Sequence, residues 1–287
     1  MGRLIRCITS DGCVKAVALD STDIVNAAAD IHKTSAVVSA ALGRLLTAAS
    51  IMGDMLKGEN NSVTLRMAGN GPLQAIIAVS DSKGNVKGYP VNPVVEIPLN
   101  AKGKLDVGGA IGEGYLYVLK DLGLKEPYNG VVPLVSGEVA EDITAYYATS
   151  EQTPTVCALG VLVNPDLTIK AAGGLLIQLL PTADDTIITM VENSIKTFKP
   201  ITTYLSEGVS LEDIVKDALK EFEVEVLDES STAYVCDCSR ERTKGVLKSI
   251  GEEEILKLAE ESEDTEVKCH FCNKTYNFTS DELRKLI

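Results

Sequence analysis

Four of the seven cysteines stand in two tight pairs near the end of the chain, Cys236-Asp237-Cys238 and, after a 30-residue insert, Cys269-His270-Phe271-Cys272. No other feature limits the fold so strongly. Two short loops with two thiols each deliver four soft ligands to the corners of a tetrahedron, which is the donor set of a structural zinc ion. The first pair is C-x-C, a departure from the C-x-x-C of an ordinary zinc ribbon. His270 lies between two proposed ligands and offers another donor, but four cysteines already fill the tetrahedron.

The segment around these thiols cannot fold on burial alone. Residues 228–287 carry 14 acidic and nine basic side chains, a net charge of −5, and eight of those acids fall between Glu252 and Glu266. So small and charged a piece buries too little apolar surface to offset its ordering entropy. A four-thiolate zinc contributes on the order of 10–16 kcal/mol at neutral pH. Folding of the segment and occupancy of the site are then one equilibrium.

The two pairs differ as redox couples. Cys269 and Cys272 have the spacing at which disulfides close readily. In an extended strand, Cys236 and Cys238 would have Cα atoms roughly 6.5–7 Å apart and would point to opposite sides, so a bond between them needs a local bend. A strained disulfide is the more labile kind. Spacing alone leaves two readings open, a passive zinc knuckle and a redox switch.

The rest of the chain reads as α+β. Leu4 to Ile8 and Val14 to Leu19 flank Asp11-Gly12, a hairpin signal. Asp20 to Asp23 offers N-caps for a helix to about residue 33. The next helix, about 35–57, is apolar on most of its circumference, through Val37, Val38, Ala41, Leu42, Leu45, Leu46, Ala49 and Met52. Such a helix is enclosed by other elements. Strands are expected at 62–68, 73–80, 86–89, 114–120, 131–136, 156–163 and 168–179, with a helix inside 136–150. Gly108-Gly109 and Gly173-Gly174 read as turns or bulges, because neither is followed by the residues of a phosphate loop.

All ten prolines lie at or before Pro200 and twenty of the 23 glycines lie before residue 201, so a boundary is expected near 180–200. Beyond it, Asp184 or Asp185 caps a helix with Ile187, Ile188, Val191, Ile195 and Phe198. Ser210 with Asp213 caps another, through Leu211, Ile214, Val215, Ala218, Leu219 and Phe222. A short strand follows at about 223–227. The expected organisation is an N-terminal body at 1–180, with β-sheets enclosing a buried helix. An amphipathic helical linker at 181–227 follows, its apolar face covered most simply by that body, then a small zinc-binding domain at 228–287.

Several functions are disfavoured. A net charge of −14 and a pI near 4.7 argue against nucleic acid, and the local cations Arg240, Arg242 and Lys244 sit in an acidic segment. Arg44 in the middle of the longest apolar stretch argues against a membrane span. With His32 and His270 the only histidines, no nucleophile, base and orienting group can be assembled, so no catalytic residue is assigned. An enzyme with a purely structural zinc module is the alternative reading. Met1 to Ile8 holds two arginines and no apolar run of the length an export signal needs, so no such signal is expected and the expected compartment is the reducing cytoplasm. Cys7, Cys13 and Cys157 are read as structural.

The chain resembles the heat shock protein 33 family, the redox-regulated 33 kDa chaperonins of bacteria. The likeness rests on Cys236-Asp237-Cys238-Ser239-Arg240-Glu241-Arg242, on Cys269 to Cys272, and on the aromatic pair Tyr276 and Phe278. It extends to Ser136 through Asp142, Ser150-Glu151-Gln152-Thr153-Pro154 and Gly173 through Gln178. The resemblance implies an ATP-independent holdase that is inactive while reduced, with one zinc per chain on Cys236, Cys238, Cys269 and Cys272. It implies that an oxidant forms disulfides Cys236–Cys238 and Cys269–Cys272, with zinc release and unfolding of the C-terminal module. The helical linker then loosens, homodimers form and unfolding client proteins are held.

Overall fold

A hairpin opens the chain. β1 (Gly2–Thr9) and β2 (Val14–Asp20) pair antiparallel, and the turn between them places Gly12 at φ +68, a conformation glycine adopts without strain. The computed structural model describes all 287 residues, and internal contacts divide them into two units, Met1–Tyr234 and Val235–Ile287.

In the first unit, helices α1 (Thr22–His32) and α2 (Ala36–Asp54) follow the hairpin. Then come β3 (Ser62–Gly69), β4 (Ala75–Asp81), β5 (Val86–Pro90), the one-turn helix α3 (Val107–Ile111), β6 (Gly114–Asp121) and β7 (Tyr128–Pro133). Helix α4 (Ala140–Thr149) leads to the hairpin β8 (Thr155–Val163) and β9 (Ile169–Leu179). Helices α5 (Asp185–Ile195), α6 (Ile201–Ser206) and α7 (Leu211–Ala218) precede the edge strand β10 (Val224–Thr232). Two five-stranded sheets result, ordered β10-β1-β2-β9-β8 and β5-β4-β3-β6-β7, every pairing antiparallel.

Helix α2 lies between the sheets, as its all-round apolarity requires. Every residue from Val37 to Asp54 except Arg44 is buried. Its side chains share one core with Leu4, Val17, Leu19 and Leu176 of the first sheet and with Val63, Leu65, Ile76 and Leu116 of the second. Each buried Leu or Ile there contributes about 1.5–3 kcal/mol. The helix is long and apolar enough to cross a membrane, but it is this enclosed core helix. Arg44 reaches out of the core to Glu138, 2.5 Å away.

The other face of the first sheet is covered by the segment expected as a linker. Asp184 caps α5 and Ser210 caps α7 through their side-chain oxygens. Val191, Ile201, Tyr204, Leu211, Ile214 and Val215 pack on Ile5, Cys7, Val14, Ala16, Ala18, Leu175 and Ile177. Residues 181–234 thus fall in the first unit.

Several local expectations need correction. Gly108 and Gly109 lie inside α3, because Asp106 caps it with an oxygen that accepts from Gly109 N at 2.9 Å. Gly173 and Gly174 lie in regular β9, where the lack of a side chain permits close packing. A Cβ on Gly174 would fall 2.8 Å from Thr47 Cγ2 of α2. β7 starts at Tyr128 and stops at Pro133, since Asp142 Oδ1 takes the amides of Val135 and Ser136 out of any ladder. α6 and the full length of β10 were not evident from the apolar pattern.

β10 is polar, and arginines on both faces of β1 hold it. Arg3 binds Glu229 of β10 at 2.8 Å and also Glu212 of α7, while Arg6 binds Asp228 at 3.0 Å and the buried Asp54 at 2.5 Å. Charged side chains of this kind protect a sheet edge from unwanted pairing.

The second unit contains α8 (Arg240–Ser249), α9 (Glu252–Glu261), the hairpin β11 (Asp264–Lys268) and β12 (Thr275–Thr279), and α10 (Ser280–Arg284). Its buried core is Leu247, Ile255, Ala259, Tyr276, Phe278 and Leu283.

Two outcomes follow from this packing. Hydrogen bonds from Arg3 hold Glu212 well below its ordinary 4.5, at about 2. Its stabilising effect is therefore complete above that ordinary value and fades as pH falls toward the lower one. Glu212→Gln is expected to cost about 0.5–1 kcal/mol at pH 7, and the gap to wild type should close between about pH 4.5 and pH 2 in urea titrations. Gly53→Ala would gain about 1 kcal/mol from helix propensity alone. Its Cβ, however, would stand 2.3 Å from Ser80 Oγ and 2.4 Å from the Asp81 carbonyl oxygen. A net loss of about 1–3 kcal/mol is expected in the same assay.

Candidate metal centre

Two backbone devices present the thiols. Cys236 and Cys238 lie just before α8, whose N-cap Ser239 accepts from Arg242 N at 3.1 Å. Cys269 and Cys272 occupy the β11–β12 turn. There Cys269 N donates to Lys274 O at 2.9 Å, Asn273 N donates to Cys269 O at 2.8 Å, and Asn273 takes a left-handed φ of +58. Asn is among the few residues that tolerate this conformation, and the turn aims both thiols to one side.

The four sulfurs converge. Cys236 Sγ is 3.7 Å from Cys269 Sγ, Cys238 Sγ is 3.3 Å from Cys272 Sγ, and all four lie within 4.8 Å of one another. Metal–sulfur bonds of about 2.3 Å in a tetrahedron put sulfurs roughly 3.8 Å apart, so the spacing fits a four-thiolate metal site. Both of these contacts run across the two loops. All four thiols are half-buried, and none of the seven cysteines forms a disulfide. His270 is not part of the cluster.

The surroundings tune the donors. Burial, with the other three thiols adding to it, pushes Cys236 up to about 12. Burial also opposes ionisation of Cys238, but hydrogen bonds from the Tyr276 hydroxyl and the other thiols outweigh it and bring that group down to about 7. Tyr276 Oη donates to Cys238 Sγ at 3.2 Å, and the ring of Tyr276 belongs to the buried core. This contact links the thiol cluster to the packing of its unit. Its signal in the sequence is period two, because Tyr276 and Phe278 share the inward face of β12.

The local cations have internal partners. Arg240 donates to Asn277 O at 2.7 Å, pairs with Glu282 at 2.7 Å and stands 4.3 Å over the Phe278 ring. Arg242 pairs with Asp237 and Lys244 with Glu241. The remaining cysteines lie in the other unit. Burial raises Cys7 to about 11 and Cys157 to about 12, which keeps both protonated and unreactive. His32 is buried too, with Nε2 2.9 Å from Gly88 O and 3.3 Å from the Tyr234 hydroxyl.

Comparison with known proteins finds likeness along nearly the whole chain. The family described as Hsp33 protein matches residues 2–279. The 33 kDa chaperonin of Acetivibrio thermocellus is 46% identical over 284 residues, covering 99% of this chain and 96% of that protein. That of Clostridium beijerinckii is 46% identical over 286 residues, covering 99% and 98%. Among solved structures, the 33 kDa chaperonin of Thermotoga maritima superposes with a TM-score of 0.89 at 37% identity, covering 99% of this chain and 97% of that one.

Groups that hydrogen-bond a metal ligand typically change metal affinity by 10–100-fold. Tyr276→Phe keeps the ring in the core but removes the donor to Cys238. It is expected to weaken metal binding by about tenfold in chelator competition, with the far-UV circular dichroism of the loaded protein unchanged.

Proposed function

This chain belongs to the Hsp33 family, and we propose that it is a redox-regulated, ATP-independent holdase whose C-terminal unit is the switch. The observation that carries this reading is the convergence of four thiols within a unit whose buried core is six side chains.

Cys236, Cys238, Cys269 and Cys272 would hold one zinc ion per chain, and when bound that ion supplies a four-thiolate crosslink between the two loops. Oxidation then removes the donors in pairs. In each pair two thiolates give up two electrons and form one S–S bond, while one hydrogen peroxide takes those electrons and two protons from solvent and becomes two waters. Pairing within the loops, Cys236–Cys238 and Cys269–Cys272, leaves nothing to join one loop to the other. Pairing across them would keep the unit stapled. The six-residue core cannot offset the ordering entropy of the remaining acidic chain, so the unit unfolds.

In the oxidised protein α5 to α7 loosen from the first sheet and expose its apolar face together with their own. An apolar surface of this kind binds unfolding client proteins, and activated chains pair as homodimers. The reduced protein stays inactive in the cytoplasm until an oxidant and unfolding stress act together.

The test is light scattering from a thermally unfolding client, run with the reduced metal-loaded protein and with peroxide-treated protein. Suppression is expected only after oxidation, with loss of four of the seven thiols and parallel metal release followed by an indicator dye. Peptide mapping should find the two within-loop disulfides. Equal suppression by the reduced form would remove the switch, and cross-loop disulfides would remove the unfolding step.

A further inference from the structure

Two of the segments that carry the family resemblance, Ser150 to Pro154 and the end of Gly173 to Gln178, have no part in the thiol centre. The fold brings both to one cavity of about 620 Å3 in the first unit. That size is within the roughly 300–1,000 Å3 of small-molecule sites. From its chemistry we propose that this cavity binds an amphipathic monoanion, a carboxylate on an apolar chain.

The floor is Lys15 of β2 opposite Gln178 of β9, and Thr155 of β8 pairs with Gln178 on its other side. Gln178 is 3% exposed and its Nε2 is fixed on Thr155 Oγ1 at 3.1 Å. Met52, Met55 and Leu56, at the end of α2, form an apolar wall, and Leu179 and Ile188 extend it. Glu151, Gln152, Thr153 and Pro154 form the rim. Gln152 holds a left-handed φ of +51, a strained conformation for a residue with a Cβ, and such strain clusters at binding sites. The amide of Thr153 is tied to Tyr147 O at 3.0 Å, which fixes the rim.

The charge in the cavity is unbalanced. Lys120 is neutralised by Glu151 at 2.6 Å, and the same carboxylate accepts from the Tyr146 hydroxyl. Tyr147 is neutral, because burial raises its pKa. Lys15 has no carboxylate partner; burial and the nearby Lys57 both disfavour its charge. A half-buried ammonium that lacks a counter-ion favours one anionic group at hydrogen-bond range. The thioethers beside it are adaptable apolar contacts. A neutral ligand would leave Lys15 uncompensated, and among the residues that line the cavity a polyanion would find one cation without a carboxylate partner.

The probe is octanoate, with 1-octanol and octylamine as length-matched controls, titrated into the reduced full-length protein carrying 13C-methyl methionine. Of the five methionines, Met52 and Met55 line the cavity, whereas Met67 and Met190 do not. Octanoate is expected to shift the Met52 and Met55 methyl signals saturably and to bind about tenfold more tightly than octanol, with octylamine weakest. Lys15→Met should lower octanoate affinity to that of octanol, and Lys15→Arg should restore the preference. Equal binding of octanoate and octanol by the wild type, no shift at Met52 and Met55, or an unchanged preference in Lys15→Met overturns the proposal.

Discussion

A helix that is apolar on nearly every side has to be surrounded, and α2 sets the plan of the larger unit for that reason. One sheet cannot cover more than one of its faces, so two are needed. Small residues let them close in, with Gly43 against Val25 and Val161, Gly53 against Ser80 and Asp81, and Gly174 of β9 against Thr47. The single cation of the helix leaves through a gap to Glu138. The first sheet is then apolar on both faces, and its second face takes α5 to α7. Enclosure of one helix thus produces a second surface that itself needs cover.

In the proposed reading the smaller unit meets the same need with another kind of bond, metal coordination by its four thiols. Its core is too small to order a chain dense in glutamate, and its four sulfurs lie at a separation that suits shared coordination. Stability concentrated in a few coordinate bonds can be removed by chemistry at those atoms alone. Stability spread over the core around α2 cannot. This difference assigns opposite roles to two kinds of cysteine in one chain. Cys7 and Cys157 are protonated and packed, whereas Cys238 sits under a hydroxyl that favours its thiolate.

Much of this was legible in the residues. Val37 to Met52 announce a buried helix, Asp11-Gly12 a hairpin, Ser210 a helix start, and the spacing of the tail thiols a shared site. What was hidden depended on partners distant in sequence. β10 carries Asp228 and Glu229 where a strand is expected to alternate, and it is a strand because Arg3 and Arg6 lie across from it. Gly173 and Gly174 look like a turn until Thr47 and Leu205 are found against them. The glycines of α3 are helical because Asp106 caps them. The cavity was invisible for the same reason, since β-pairing places Gln178 beside Thr155 and Lys15.

The pairing of β1 with β10 joins Gly2 to Thr232 and Thr9 to Val224. A ribosome that has just released the first strand must add some 215 residues before its neighbour exists, roughly 10–40 s at about 5–20 residues per second. During that interval the nascent hairpin has an open border, with Arg3 still lacking Glu212 and Glu229 and Arg6 still lacking Asp228. Arginines along an open sheet edge deter a stray strand from another polypeptide. The residues that later clamp the finished sheet therefore guard it while it is still being made.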